Sequence, residues 1–120
     1  MREARRWFAT SFHPSSIDDI AGVLRDPTQS ASFRMVVSYW DMAASLVLND
    51  AIDEQMFAAA NGEHIGVFAK LEPFIGELRS TVGNPVYLAS LERIVMQTPN
   101  ATERLVAIRE RFRAMAAARQ

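Results

Sequence analysis

The chain has 120 residues, the length of one ordinary domain, and its 49% hydrophobic and 22% charged residues are typical of a folded protein rather than a disordered one. It contains no cysteine, which excludes disulfides, thiolate metal sites and cysteine nucleophiles, and its formal net charge of −1 disfavours a whole molecule built to bind a polyanion. The basic amino terminus is not followed by a long apolar run. Neither a signal peptide nor a membrane span is therefore predicted, and we expect one cytoplasmic domain over residues 1–120.

Two short helices are predicted before the long one. His13-Pro14 ends the first, because the residue before a proline is pushed out of the helical region. Ser16, with Asp19 three residues later, is a capping-box variant that opens the second. A turn over residues 26–28 then leads into the next element.

The rest of the chain is organised around an apolar helix over about residues 31–48. One stripe with i, i+3, i+4, i+7 spacing contains Phe33, Val36, Val37, Trp40, Ala44, Val47 and Leu48. A second stripe beside it contains Met35, Tyr39, Met42 and Leu46. The polar seam that remains contains Arg34, Ser38, Asp41 and Ser45. A helix with so little polar surface is normally surrounded by other helices, so we predict it at the centre of a bundle. It is too short, and too interrupted by charge, to span a bilayer.

The second half of the chain predicts four more helices. Asp53 is a good N-cap for a short one. The next covers about residues 63–82, and Pro73 inside it predicts a kink, because proline lacks an amide hydrogen and clashes with the preceding turn. Two further helices follow, over about residues 85–96 and 101–119. No stretch alternates in the manner of a strand, so the predicted fold class is all-α: a single-domain bundle of six or seven helices with a central apolar helix and a proline-kinked helix.

None of the sequence patterns that carry chemistry is present. His13 and His64 have no second histidine or carboxylate at metal-binding spacing, there is no glycine-rich phosphate loop, and no serine lies in a G-x-S-x-G context. We therefore predict no catalytic residue, no metal ligand and no cofactor, and an enzyme is the less favoured class of protein.

Asp41 is the polar residue that most needs an explanation. It lies in the middle of the most apolar helix, and a buried carboxylate needs a charged or hydrogen-bonding partner. Arg79 and Arg93 are the candidate partners, and together with Tyr39 they form a candidate polar site. The alternatives are a structural ion pair and a seam that is simply exposed.

The last helix combines an apolar seam with positive charge. The seam has a four-three-four-three spacing typical of a coiled coil and contains Ala101, Leu105, Ile108, Phe112 and Met115. The arginines of this helix are Arg104, Arg109, Arg111, Arg113 and Arg119. They flank the seam on both sides instead of sharing one face, which disfavours nucleic-acid binding and favours a seam that is either buried within the chain or covered by a partner.

Several short motifs between Tyr39 and Val95 resemble those of a bacterial family of all-helical domains of unknown function. In that family an aromatic–acidic pair on a helix is followed by a G-x-I-D turn and then by a helix with a central proline and a later arginine. The matching residues here are Trp40-Asp41, the turn at 50–53, Pro73, Arg79 and Leu91-Glu92. Asp50 stands where the family has glycine. The resemblance implies an all-helical fold and a contact between Asp41 and Arg79, and it implies no activity.

Three functional hypotheses follow. The first is a helical interaction or scaffolding module without catalytic chemistry, whose partner is another protein or a second copy in a homodimer. The second is a small ligand-binding or enzymatic domain with a polar pocket near Asp41 and Arg79. The third is a regulator that binds a membrane surface or nucleic acid through the terminal arginines; both of these partners are less favoured.

Overall fold

The computed structural model describes residues 1–60 and 62–118, and these residues form eight α-helices, one 3-10 turn and no strand. The helices are α1 Arg2–Thr10, α2 Ile17–Arg25, α3 Pro27–Leu48, α4 Glu54–Ala60, α5 Glu63–Leu71, α6 Ile75–Val82, α7 Ala89–Met96 and α8 Ala101–Ala118. The all-α prediction is confirmed. The count agrees with six or seven helices, because the predicted proline-kinked helix corresponds to α5, α6 and the turn between them.

The central helix begins earlier than predicted because its start is capped. The Asp26 side chain accepts hydrogen bonds from the backbone amides of Thr28 and Gln29, each at 2.9 Å. Pro27 occupies the first helical position, where its missing amide hydrogen costs nothing. An acid followed by proline is thus the start signal of α3, and the segment predicted as a turn already belongs to the helix.

Pro73 produces a short break, more than a simple kink. The segment predicted as one helix over 63–82 consists of α5, a 3-10 turn over Glu72–Phe74, and α6. Proline cannot donate the i to i−4 hydrogen bond, and its ring crowds the turn before it, so the chain tightens locally to 3-10 geometry. Gly83 then ends α6 in the left-handed conformation, with φ of 74°.

The helix predicted over 85–96 is shorter than expected. Asn84 accepts a hydrogen bond from the amide of Val86 at 3.0 Å, which forms a turn instead of a first helical turn. Leu88 has φ of 61°, a left-handed conformation that interrupts a right-handed helix. Helix α7 therefore begins only at Ala89.

The core lies between α3 and the helices that pack on one side of it. Helix α3 contacts α1, α2, α4 and α7. Its buried residues are Phe33, Val36, Val37, Trp40, Ala43, Ala44 and Val47, which include most of the first predicted stripe. Helix α3 is thus central to the bundle, as predicted, but only its first stripe is buried, and the second stripe is exposed. The neighbouring helices cover the first stripe of α3, whereas the second stripe is left exposed to solvent by the described part of the chain.

Helix α8 lies against α5. Leu105 is buried, and Ile108 and Phe112 are half-buried. The predicted seam of α8 is therefore used within the chain as far as Phe112, while Met115, 44% exposed, lies beyond it.

Candidate functional site

One candidate surface is the exposed second stripe of α3, formed by Met35, Tyr39, Met42 and Leu46 and called here the α3 stripe. These side chains are 48%, 44%, 55% and 40% exposed, respectively. At 100° per residue they lie within an arc of about 60°, and along the axis they span roughly 16 Å. Large apolar side chains scattered singly over a surface need no explanation, but a contiguous row on one helix is typical of an interaction site.

Trp40, which lies beside the α3 stripe, is hydrogen-bonded to an exposed ion pair. The ring of Tyr39 meets that of Trp40 edge-on, with centroids 4.9 Å apart. The indole nitrogen of Trp40 donates a hydrogen bond to Glu63 at 3.2 Å, and Arg5 donates two more to the same carboxylate at 2.9 and 2.6 Å. The hydrogen bond and the charge of Glu63 raise the pKa of Arg5, with a smaller contribution from Tyr39. Trp40 is therefore held in place next to Tyr39, at one edge of the stripe.

Asp41 does not pair with an arginine in the described part of the chain. It is half-buried and accepts a hydrogen bond from the backbone amide of Leu91 at 2.9 Å. Leu91 lies in the first turn of α7, where amide groups lack helical partners and the dipole favours negative charge. The carboxylate of Asp41 thus caps α7 from the neighbouring helix α3.

Arg79 reaches the same end of α7 but binds different groups. It donates to the carbonyl oxygen of Tyr87 at 2.9 Å and forms an ion pair with Glu92 at 2.9 Å. The prediction of a contact between Asp41 and Arg79, which the resemblance implied, is therefore wrong. Asp41 binds the amide of Leu91, whereas Arg79 binds the carbonyl oxygen of Tyr87 and the carboxylate of Glu92. Burial raises the pKa of Tyr87; the charge of Arg34 opposes this shift and that of Asp41 adds to it.

The four residues of the predicted polar site lie in three different places in the fold. Asp41 and Arg79 both secure the start of α7, Tyr39 belongs to the α3 stripe, and Arg93 is exposed on α7. The arrangement is explained by helix capping and ion pairing. Two cavities, one next to Phe8 and Val67 and one next to Trp7 and His13, are lined by none of these four residues.

Lys70 is the most unusual polar residue of the structure, and sequence reasoning missed it. It is the only lysine of the chain and only 6% exposed. Its ammonium donates to the carbonyl oxygens of Phe8, Ala9 and Phe12, at 2.5, 3.3 and 2.8 Å, which lie at the end of α1. It also lies 4.5 Å from the ring centroid of Phe112. Burial lowers the pKa of Lys70 from 10.5 to about 8.

A small cavity adjoins Lys70. Its volume is about 150 Å³ and its lining includes Arg5, Phe8, Ala9, Val36, Glu63, Gly66, Val67, Lys70 and Phe112. The three N–H groups of Lys70 are already directed at the three carbonyl groups of α1 and its extension. The residue therefore ties the carboxyl end of α1 to α5, a structural role that explains its burial. A single lysine inside an otherwise apolar run is the sequence signal that could have revealed it.

His64 is buried among aromatic rings. Its ring centroid lies 4.9 Å from that of Phe57 and 5.9 Å from that of Trp40. Its Nδ1 has no hydrogen-bond partner among the described residues. Burial, and to a smaller extent the charge of Arg104, lower the pKa of His64. Within residues 1–60 and 62–118, no group of three or more histidine, aspartate or glutamate side chains could hold a metal ion.

The terminal arginines do not act as one group. Arg109 donates to the carbonyl oxygen of Ala69 at 3.2 Å and pairs with Glu72 at 3.3 Å, which fastens α8 to α5. The exposed arginines of this helix are Arg104, Arg111 and Arg113. Arg119 lies outside the described residues. None of the described helices combines the length and the hydropathy needed to cross a bilayer.

The model of a domain family of unknown function, DUF4760, matches residues 1–98, a range that contains the motifs between Tyr39 and Val95. The predicted resemblance to an uncharacterised domain family is therefore confirmed. The match includes α1 to α7 and ends before α8. No curated protein and no solved structure matches the chain.

Proposed function

The chain belongs to the DUF4760 family of domains of unknown function, and we propose that it is a helical interaction module that self-associates through the α3 stripe. The observation that carries this proposal is the row of four apolar side chains, each 40% to 55% exposed, on the longest helix of the molecule. Covering such a row removes apolar surface from water, which is the main driving force of protein association.

A second copy is the partner that best suits this surface. The α3 stripe carries no charged side chain, so two copies can approach without burying an unpaired charge. A two-fold interface uses the same patch on both subunits, and a straight row on one helix can pack against itself. Binding to itself requires no complementary surface on another protein.

The area of the stripe limits the strength of this interaction. With roughly 100 Å² exposed per side chain, two copies would bury roughly 800 Å² in total, against the 1,200–2,000 Å² of a standard stable interface. Residues beside the stripe add to this area. We therefore expect a weak, reversible dimer with a dissociation constant on the order of 10 μM or above.

Sedimentation velocity over about 1 to 200 μM tests the proposal, because this range brackets the expected dissociation constant. The wild-type chain should shift from monomer to dimer. Met42→Glu places a carboxylate in the middle of the stripe and should raise the dissociation constant on the order of 100-fold, because the interface would bury an unpaired charge. Circular dichroism should show an unchanged fold, since Met42 is 55% exposed.

Met115→Glu is the matched control. It makes the same chemical change at an apolar residue of similar exposure, 44%, at the free end of the α8 seam. We expect it to dimerise like wild type. A wild-type chain that is monomeric throughout the concentration range contradicts the proposal, and a loss of dimer in Met115→Glu but not in Met42→Glu moves the interface to α8.

Binding of a membrane surface or nucleic acid through the terminal arginines is a weaker proposal. Arg109 is already engaged with α5, which reduces the charge available on α8. Electrostatic binding weakens with salt, so pull-downs with anionic vesicles and RNA at low and physiological salt test it. We further propose a cytoplasmic location, which fractionation of the host cells tests.

A further inference from the structure

We infer that two copies pair their α3 helices in antiparallel orientation, about a two-fold axis that passes between Tyr39 and Met42. This inference rests on the proposed self-association and adds its geometry. The three observations that carry it are the spacing of the α3 stripe, the charges at the end of α3, and the small residues beside the stripe.

The spacing of the α3 stripe is the same in both directions. Its residues follow one another at intervals of four, three and four. Met35 and Leu46 are equally far from the midpoint of the stripe, and so are Tyr39 and Met42. In an antiparallel pair Met35 therefore faces Leu46 of the second copy, and Tyr39 faces Met42 of the second copy. Every large side chain of the stripe meets an apolar side chain, and the tyrosine ring meets a flexible thioether that can adapt to it.

The charges at the end of α3 oppose a parallel pair. Asp50, Asp53 and Glu54 follow the carboxyl end of α3 and are all exposed. A parallel pair would bring these acids close to their own copies and would align the two helix dipoles, both of which are unfavourable. An antiparallel pair separates each set of acids from its own copy and opposes the two dipoles; the acids then lie toward the start of the partner's α3, where the capping Asp26 offsets part of the gain.

Small residues beside the stripe allow the two helices to approach. Ala31 and Ser38 lie on its polar side and are exposed, whereas Ala43, on its other side, is buried within the chain. On the exposed polar flank, no long side chain of the central turns of α3 would hold the backbones apart at the axis. An interhelical distance of about 8–10 Å, which is typical of packed helices, is therefore compatible with this surface.

Disulfide trapping can distinguish the two orientations, because the natural chain has no cysteine to interfere. We would prepare Met35→Cys and Leu46→Cys separately, mix them in equal amounts above the dissociation constant, and oxidise with copper phenanthroline. In the antiparallel pair, positions 35 and 46 of different copies are adjacent, while two copies of the same position are roughly 16 Å apart. The mixture should therefore form mainly the mixed disulfide, identified by its mass, and each variant alone should form little covalent dimer.

Met115→Cys is the control for random collision, because this position is exposed and lies outside the α3 stripe. Mixed disulfide at least fivefold above this background supports the antiparallel pair. If Met35→Cys alone and Leu46→Cys alone each form a disulfide-linked dimer efficiently, the antiparallel orientation is overturned, and self-association remains intact. Trapping at background level in every combination, with a wild-type chain that still dimerises, would also overturn it. A wild-type chain that sediments as a monomer is a failure of the proposed function itself.

Discussion

Replacement of Lys70, the only lysine of the chain, by methionine tests how its hydrogen bonds and its buried charge contribute to the stability of the fold. Methionine has a similar length and keeps the packing of the side-chain stem, but it cannot donate to the carbonyl oxygens of Phe8, Ala9 and Phe12. The bonds to Phe8 and Phe12 are buried, so the substitution leaves two buried acceptors without a donor.

Two opposing effects determine the size of the change. A buried acceptor without a partner costs about 1–3 kcal/mol, so two of them cost about 2–6 kcal/mol. The buried ammonium itself is unfavourable: a pKa of about 8 in the folded protein, against 10.5 unfolded, corresponds to roughly 3 kcal/mol at neutral pH. Since Lys70→Met also removes this unfavourable charge, we expect a net loss of only about 1 kcal/mol in the free energy of unfolding at pH 7.

The loss should grow with pH, and the sign follows from proton binding. Below pH 8 Lys70 is protonated in both states, and the cost of burying the charge is fully present. Between pH 8 and 10.5 the unfolded chain holds a proton that the folded protein has released, so the stability of wild type rises with pH. Lys70→Met lacks this titrating group, so its stability does not rise with pH for this reason. The difference between the two proteins should therefore increase by about 2–3 kcal/mol from pH 7 to pH 10.

Urea unfolding of both proteins at pH 7, 8, 9 and 10 measures this difference, and titrations of other groups largely cancel between them. NMR titration of a 13C-labelled lysine gives the pKa directly, since one lysine gives one signal. A midpoint near 10.5, together with a difference that does not change with pH, would refute the buried-ammonium account. A Lys70→Met protein as stable as wild type at pH 10 would show that the carbonyl groups of α1 do not depend on Lys70.

Three further changes have expected outcomes that thermal or urea unfolding can check. Asp41→Ala should lower the free energy of unfolding by about 1 kcal/mol, because it removes a helix cap; a loss of 3–5 kcal/mol would instead indicate a stranded buried charge. Wild type should lose stability as the pH falls below 6.5, because His64 has a lowered pKa and the unfolded chain gains a proton before the folded protein does. His64→Gln should reduce this slope, and an unchanged slope would assign it to other groups. Asp50→Gly should stabilise the fold by about 0.5 kcal/mol, because Asp50 has φ of 60°, where glycine is not strained; a destabilised variant would contradict this reading of the turn.

Local chemistry in the sequence predicts much of the helical framework. Capping by Ser16 is observed as expected: its hydroxyl accepts from the Asp19 amide at 3.3 Å. Asp53 likewise caps α4 by accepting from the Met56 amide at 3.0 Å. The break at Pro73 and the stop at Gly83 are also local, because they depend on the covalent structure of one residue and its immediate neighbours.

The sequence alone could not predict the hydrogen-bond partners of the polar side chains. Asp41 binds an amide fifty positions away, and Arg79 binds Glu92, although the family resemblance implies a contact between the two. A carboxylate can be satisfied equally well by an arginine or by the start of a helix, and the choice depends on which group the fold brings within 3 Å.

By itself, the sequence determined that the chain is helical, where most helices begin and end, and that α3 is apolar on nearly every side, because these properties depend on residues at most a few positions apart. Only the tertiary structure decided which apolar face is buried. Neighbouring helices cover one stripe of α3, while Met35, Tyr39, Met42 and Leu46 remain exposed. The hydrophobic effect favours the burial of any apolar face without specifying its partner, so the sequence pattern is the same for a face covered within the chain and for one left open to a second molecule.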